Sequence, residues 1–143
     1  MSDSCCAAST NQRPTCPACK VSGYKINIST IFHHLKMPWK TDLTVGEWGS
    51  CESDLCDVIY FQVDGQKITT NQIREIPAFK KRIPEAMLCN CFGVSLGGYQ
   101  AASTSDQQMI RDWITERTRN RQCACDVRNP GGRCCLKDFK HFS

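Results

Sequence analysis

The sequence has no apolar run approaching the roughly 20 residues of a membrane-spanning helix. Its first 19 residues hold no apolar stretch of the kind a secretory signal carries. Both absences lead to the expectation of a cytoplasmic chain with no membrane span. No Ser–His–Asp grouping, Gly-rich phosphate loop or carboxylate pair stands out, so a hydrolase or transferase has little support. No extended Lys/Arg run is present either. The net charge of +4 is modest and uneven: residues 1–65 hold five Lys/Arg against seven Asp/Glu, and residues 66–143 hold thirteen against seven. A basic C-terminal half of this size argues only weakly for nucleic acid and suits an acidic partner or an anionic cofactor equally. No internal repeat is evident beyond the cysteine pairs.

What the sequence has in excess is cysteine, twelve in 143 residues. Where thiols stay reduced, that number argues for metal ligation over disulfides, a secreted disulfide framework being the rival. A chain of this length makes one ordinary domain or two small ones. A small lobe that buries little apolar surface needs a staple. The cysteines fall into two sulfur-rich sets: Cys16-Pro-Ala-Cys19 with Cys51-x4-Cys56, and Cys89-Asn-Cys91 with the closing run Cys123-Ala-Cys125 and Cys134-Cys135.

Between these sets the pattern is mixed. Residues 1–13 are small and polar with a Cys5-Cys6 pair, and they read as a disordered tail. Residues 29–36 suit a short helix capped by Ser29 and ending before Pro38. Residues 56–63 are β-branched and aromatic and read as a strand. Asp64-Gly65 then turns the chain into a second strand over 66–70. Residues 71–88, with Pro77, Pro84 and Lys80-Lys81-Arg82, read as a connector between lobes. Residues 92–104, with three glycines, read as loop. Ser105 to Gln108 has the form of a capping box, and Met109, Ile110, Trp113 and Ile114 follow at helical spacing, so 106–121 is expected to be an amphipathic helix with that stripe in the core. Asn129-Pro-Gly-Gly132 reads as a turn. The expected fold is α+β: a zinc-bound β-hairpin lobe over 14–76 and a helical lobe over 77–143, with Trp39 and Trp48 covering apolar surface of the first.

A Cys-x2-Cys knuckle places two thiolates on one side of a tight turn, and Cys51 and Cys56 can complete a tetrahedron. Four thiolates around one ion form a closed structural zinc site; iron of the rubredoxin type is the alternative. His33 and His34 are rival ligands, read instead as one packed under the hairpin and one solvated. Cys-x-Cys is a poor zinc knuckle, whereas four thiolates satisfy a [2Fe–2S] cluster. Such a centre carries −2 when oxidised and −3 when reduced, so positive charge nearby favours the reduced state. Arg128, Arg133 and Lys137 flank the closing cysteines, and Arg117, Arg119 and Arg121 precede them.

Taken together, Cys16-Pro-x-Cys19, Cys51-x4-Cys56-Asp-Val-Ile-Tyr-Phe, Cys89-x-Cys91 and Cys125-x3-Asn-Pro-x-Gly-Arg-Cys-Cys135 resemble the N-terminal module of CopZ-type copper chaperones. In that family the module holds one zinc and one [2Fe–2S] cluster, and its cluster lobe is related to bacterioferritin-associated ferredoxins. The resemblance implies zinc on Cys16, Cys19, Cys51 and Cys56, and the cluster on Cys89, Cys91, Cys125 and Cys135. Cys123 is extra relative to the pattern and is an alternative ligand; Cys134 is expected to point away. The Met-x-Cys-x-x-Cys loop of the family's copper-carrying domain is absent, so copper delivery itself is not carried over. The implied function is a one-electron carrier in copper homeostasis, able to reduce Cu(II) to Cu(I). The implied partners are a copper chaperone domain or a copper-transporting ATPase. A binding or regulatory module without turnover, or a cluster delivery protein, are the alternatives.

Overall fold

The computed structural model describes residues 13–63 and 65–142. The Cys5-Cys6 pair and most of the expected tail lie outside them. The fold is α+β. An antiparallel sheet with spatial order β1-β2-β3-β4 is built from β1 (Tyr24–Ile26), β2 (Trp48–Ser50), β3 (Val58–Phe61) and β4 (Lys67–Thr69). Strand β3 is the Val-Ile-Tyr-Phe run, with all four residues buried. It is buried because both of its sides meet apolar groups. Ile59 and Tyr60 join Ile26, Ile31, Leu35, Trp48, Ile68 and Ile73, while Val58 and Phe61 pack with Cys16 and Cys51. Strands β3 and β4 form the expected hairpin, closed by Gln62 N–H to Gln66 O at 2.9 Å.

Helix α1 (Ile28–His34) packs on this sheet through Ile31. It starts earlier than the sequence suggested. Asn27, not Ser29, is the cap: its Oδ1 accepts the Ser29 N–H at 2.9 Å, satisfying an orphan donor of the first turn. Trp48 is buried in the core, but Trp39 is 76% exposed and lies outside it.

A second core gathers Ala78, Ala86, Leu88, Leu96, Tyr99, Ile114 and Phe139 around Cys89 and Cys135. It is framed by a two-stranded ribbon, β5 (Met87–Cys89) with β6 (Val94–Ser95), and by α2 (Leu96–Ala101), α3 (Thr104–Arg119) and α5 (Leu136–Phe142), while α4 (Cys125–Arg128) packs against α1. The expected loop over 92–104 is therefore corrected to a strand and a helix. Ser95 caps α2 by accepting the Gly98 N–H. Gly97 in α2 lies so close to Pro84 that a Cβ would come within 2.9 Å of the proline Cβ.

Helix α3 forms as expected, but its cap is Ser103, whose Oγ accepts the Asp106 N–H at 3.1 Å. Its apolar stripe divides. Ile114 is buried, whereas Met109 is 66% and Trp113 49% exposed. The core expectation holds for the first and fails for the other two. Among the described residues no helix is long and apolar enough to cross a membrane.

Candidate metal centres

Cys16 and Cys19 sit in a tight turn. Lys20 N–H donates to Cys16 O at 2.8 Å, and Cys16 N–H donates to Val21 O at 3.0 Å. Lys20 takes a left-handed φ of 68°, which folds the two thiols to one side. Cys51 leaves the end of β2, anchored by its N–H to Ile59 O at 2.8 Å, and Cys56 enters just before β3. The four Sγ atoms lie within 4.8 Å of one another, and Cys19 and Cys51 are 3.6 Å apart. One small ion fits such a set, leaving no ligand position open to water.

The electrostatics suit a cation. Burial pushes the Cys51 thiol up to about 12 and raises Cys56 as well, because a thiolate there lacks water. Burial works in the same direction on Cys19, but the Val21 amide and the neighbouring thiols hydrogen-bond to its sulfur and bring it below the usual cysteine range. Neither histidine joins the group. His33 is exposed; His34 is buried, but its Nε2 lies 2.8 Å from Val127 O in α4 rather than under the hairpin.

A buried lysine lies beneath this site, and the sequence reading placed it in a connector. Lys80 is 2% exposed, and its Nζ donates to Ser53 O at 2.8 Å and Val58 O at 2.7 Å. Those carbonyls bracket Cys56. The ammonium charge also lowers the cost of a thiolate at Cys51. No local pattern marks Lys80, because its partners lie more than 20 residues away.

The second set also converges. Cys91 Sγ is 3.6 Å from Cys125 Sγ, and the Cys135 thiol hydrogen-bonds both Cys125 and Cys89. Ala124 N–H donates to Cys91 Sγ at 3.2 Å. The Cys135 hydrogen bond lowers the Cys89 thiol, against the effect of burial and with help from the Phe92 and Cys91 amides. Cys91 is raised by its hydrogen bond to Cys125 and by burial, and Cys135 by its two thiol partners and by burial. Four buried or half-buried thiols brought together in this way form a soft donor set of the kind that iron and sulfide take. Cys123 and Cys134 are half-buried neighbours of the set.

The expected basic surround needs correction at Arg133. Arg133 is not free charge: its Nε and Nη2 each lie 2.7 Å from Glu52 oxygens, and its Nη2 lies 2.9 Å from Asp138. Burial opposes its charge, yet these two carboxylates overcome that and raise its pKa. Arg117 stacks 5.1 Å over the Trp113 ring, Arg119 pairs with Glu116, and Lys137 donates to Tyr24 OH.

Residues 13–74 match the CopZ family model described as a zinc binding domain, a span that holds all four cysteines of the first set. The X-ray structure of the Archaeoglobus fulgidus CopZ N-terminal domain is similar to the chain, with a TM-score of 0.68 and 23% sequence identity. The likeness covers 90% of this chain and 96% of that one. The chain has the fold of the CopZ N-terminal module. No curated protein matches it. The four-thiol geometry and the matched zinc-binding domain together support Zn2+ as the ion of the first set.

Proposed function

We propose that this CopZ-type chain is an iron–sulfur electron-transfer module serving copper homeostasis, with Cu(II) as an electron acceptor. The zinc lobe spans 14–76 and the cluster lobe 77–143. Cys16, Cys19, Cys51 and Cys56 hold a structural zinc that staples the sheet; Cys89, Cys91, Cys125 and Cys135 are the cluster ligands. The observation that carries the reading is the meeting of those last four thiols, drawn from three separate segments of the chain.

A [2Fe–2S] cluster held there supplies a one-electron couple, enough to take one Cu(II) to Cu(I), the state that soft thiolate sites bind. The chain's own groups prepare the place. The Ala124 amide stabilises a thiolate at Cys91, and the Phe92 and Cys91 amides do so at Cys89. The apolar core around Cys89 and Cys135 keeps water from one side, while half-buried Cys91 leaves an edge near the surface for a partner. A copper chaperone domain or a copper-transporting ATPase in the cytoplasm is the partner this chemistry would serve.

Anaerobic purification followed by zinc, iron and sulfide analysis tests the reading, with visible and EPR spectra taken before and after dithionite. Two irons, two sulfides and one zinc per chain, with an S = 1/2 signal on reduction, are expected. Zinc alone, with no sulfide bound even after reconstitution, refutes it and leaves a zinc-stapled binding module.

A further inference from the structure

The segment that carries the two closing thiols is held from one side by the sheet lobe. Thr30 Oγ1 donates to Asp126 O at 2.7 Å. His34 Nε2 lies 2.8 Å from Val127 O, and Tyr60 OH donates to Pro130 O at 2.6 Å. The Glu52 carboxylate accepts both Nε and Nη2 of Arg133. The four contacts fall at 126, 127, 130 and 133, all between Cys125 and Cys135. Thr30, His34 and Tyr60 are themselves buried.

This segment has little means of shaping itself. Helix α4 is only four residues long, too short to be stable alone, and its last carbonyls have no partner within the helix. The turn after it does have local bonds, with Asn129 Oδ1 accepting the Gly131 N–H and Gly132 at φ 68°. Three of its carbonyls and its one buried guanidinium are nonetheless satisfied from the sheet lobe. That lobe is organised around the first thiol set. Glu52 follows Cys51 directly, Tyr60 lies on the strand that follows Cys56, and Thr30 and His34 lie on α1, packed on the same sheet.

We propose that Thr30, His34, Glu52 and Tyr60 are positioning residues for the second thiol set, and that they couple ion occupancy at the first set to retention of an iron–sulfur centre at the second. The inference rests on reading the second set as a [2Fe–2S] site. The coupling is reciprocal, since any change one site makes to the other's affinity must be returned.

The test uses the full chain, reconstituted anaerobically with zinc, iron and sulfide. Cluster bleaching by a ferrous chelator is timed, with visible circular dichroism, zinc per chain and far-UV spectra measured alongside. Thr30→Val and Tyr60→Phe each leave one carbonyl unpaired. They are expected to bleach about 5- to 100-fold faster than wild type, with altered visible dichroism and unchanged zinc and far-UV signal. Thr30→Ser keeps the hydroxyl and is expected to bleach as wild type does. Zinc release to a chelator is expected to be faster from the cluster-free chain than from the loaded one.

Wild-type bleaching times in Thr30→Val and Tyr60→Phe overturn the positioning role, and equal zinc release with and without cluster overturns the coupling. If Tyr60→Phe fails to fold, the Thr30 pair and the zinc-release comparison still decide. Wild-type protein that takes up neither iron nor sulfide would instead refute the cluster reading, and the inference with it.

Discussion

An ammonium placed where water does not reach must find its partners in the protein, and Lys80 finds two backbone carbonyls in the loop that carries Cys56. Lys80→Met keeps most of the stem but leaves Ser53 O and Val58 O unpaired. The expected loss is about 1–3 kcal/mol for the stranded carbonyls, together with faster zinc transfer to a chelator. An unchanged urea midpoint and unchanged zinc release would refute that role. At the second set the question is which of two neighbours binds. Cys125 Sγ lies 3.6 Å from Cys91 Sγ, while Ala124, between Cys123 and Cys125, spends its N–H on Cys91. Cys125→Ala is expected to abolish the visible absorption with zinc still bound, and Cys123→Ala to leave it. The reverse pattern would move the ligand to Cys123.

Among the elements, those with an unmixed pattern were legible in advance. Val58 to Phe61 reads as a strand because four consecutive β-branched or aromatic residues suit a segment buried on both sides, and it is one. Helix α2 was not legible, because Gly97 and Gly98 argue for loop when judged by local propensity alone. Contact with Pro84 is what gives a side-chain-free residue its use there. The α1 and α3 caps were each displaced by two residues, since Asn27 and Ser29, or Ser103 and Ser105, are all competent caps and only the fold chooses. Arg133 shows the same limit for charge. Its place beside Cys135 suggested compensation for an anionic cluster, but Glu52 and Asp138 already neutralise it. Arg133→Ala strands two carboxylates in a half-dry place. It is expected to cost about 3–5 kcal/mol by urea denaturation, whereas a loss below about 1 kcal/mol, as for an exposed pair, would show that the triad is solvated in solution.

At the scale of the whole molecule, the first thiol set was readable because each of its two cysteine pairs is closely spaced and four thiolates around one ion make a recognisable closed site. The residues tying the two halves together were not, because Thr30, His34, Glu52 and Tyr60 reach partners 70 to 96 positions away. One of these ties makes stability depend on pH. His34 is held below the ordinary histidine range, first by burial and then by Arg74 and His33, against the raising effects of the Val127 carbonyl and Glu75. The fold therefore holds the neutral ring, while the unfolded chain protonates near 6.5. Above that pH the group adds no slope. As pH falls through 6.5 toward the lower folded value, the unfolded state binds more protons and stability drops, by at most about 1.4 kcal/mol per pH unit. Cysteine ligands that take up protons as zinc is lost act in the same direction, so the histidine must be isolated by difference. His34→Gln can still donate to Val127 O but does not titrate. In zinc-loaded protein, the loss of urea midpoint between pH 7.5 and 5.5 is expected to be smaller in His34→Gln than in wild type, and equal losses would assign the whole acid sensitivity to the thiols.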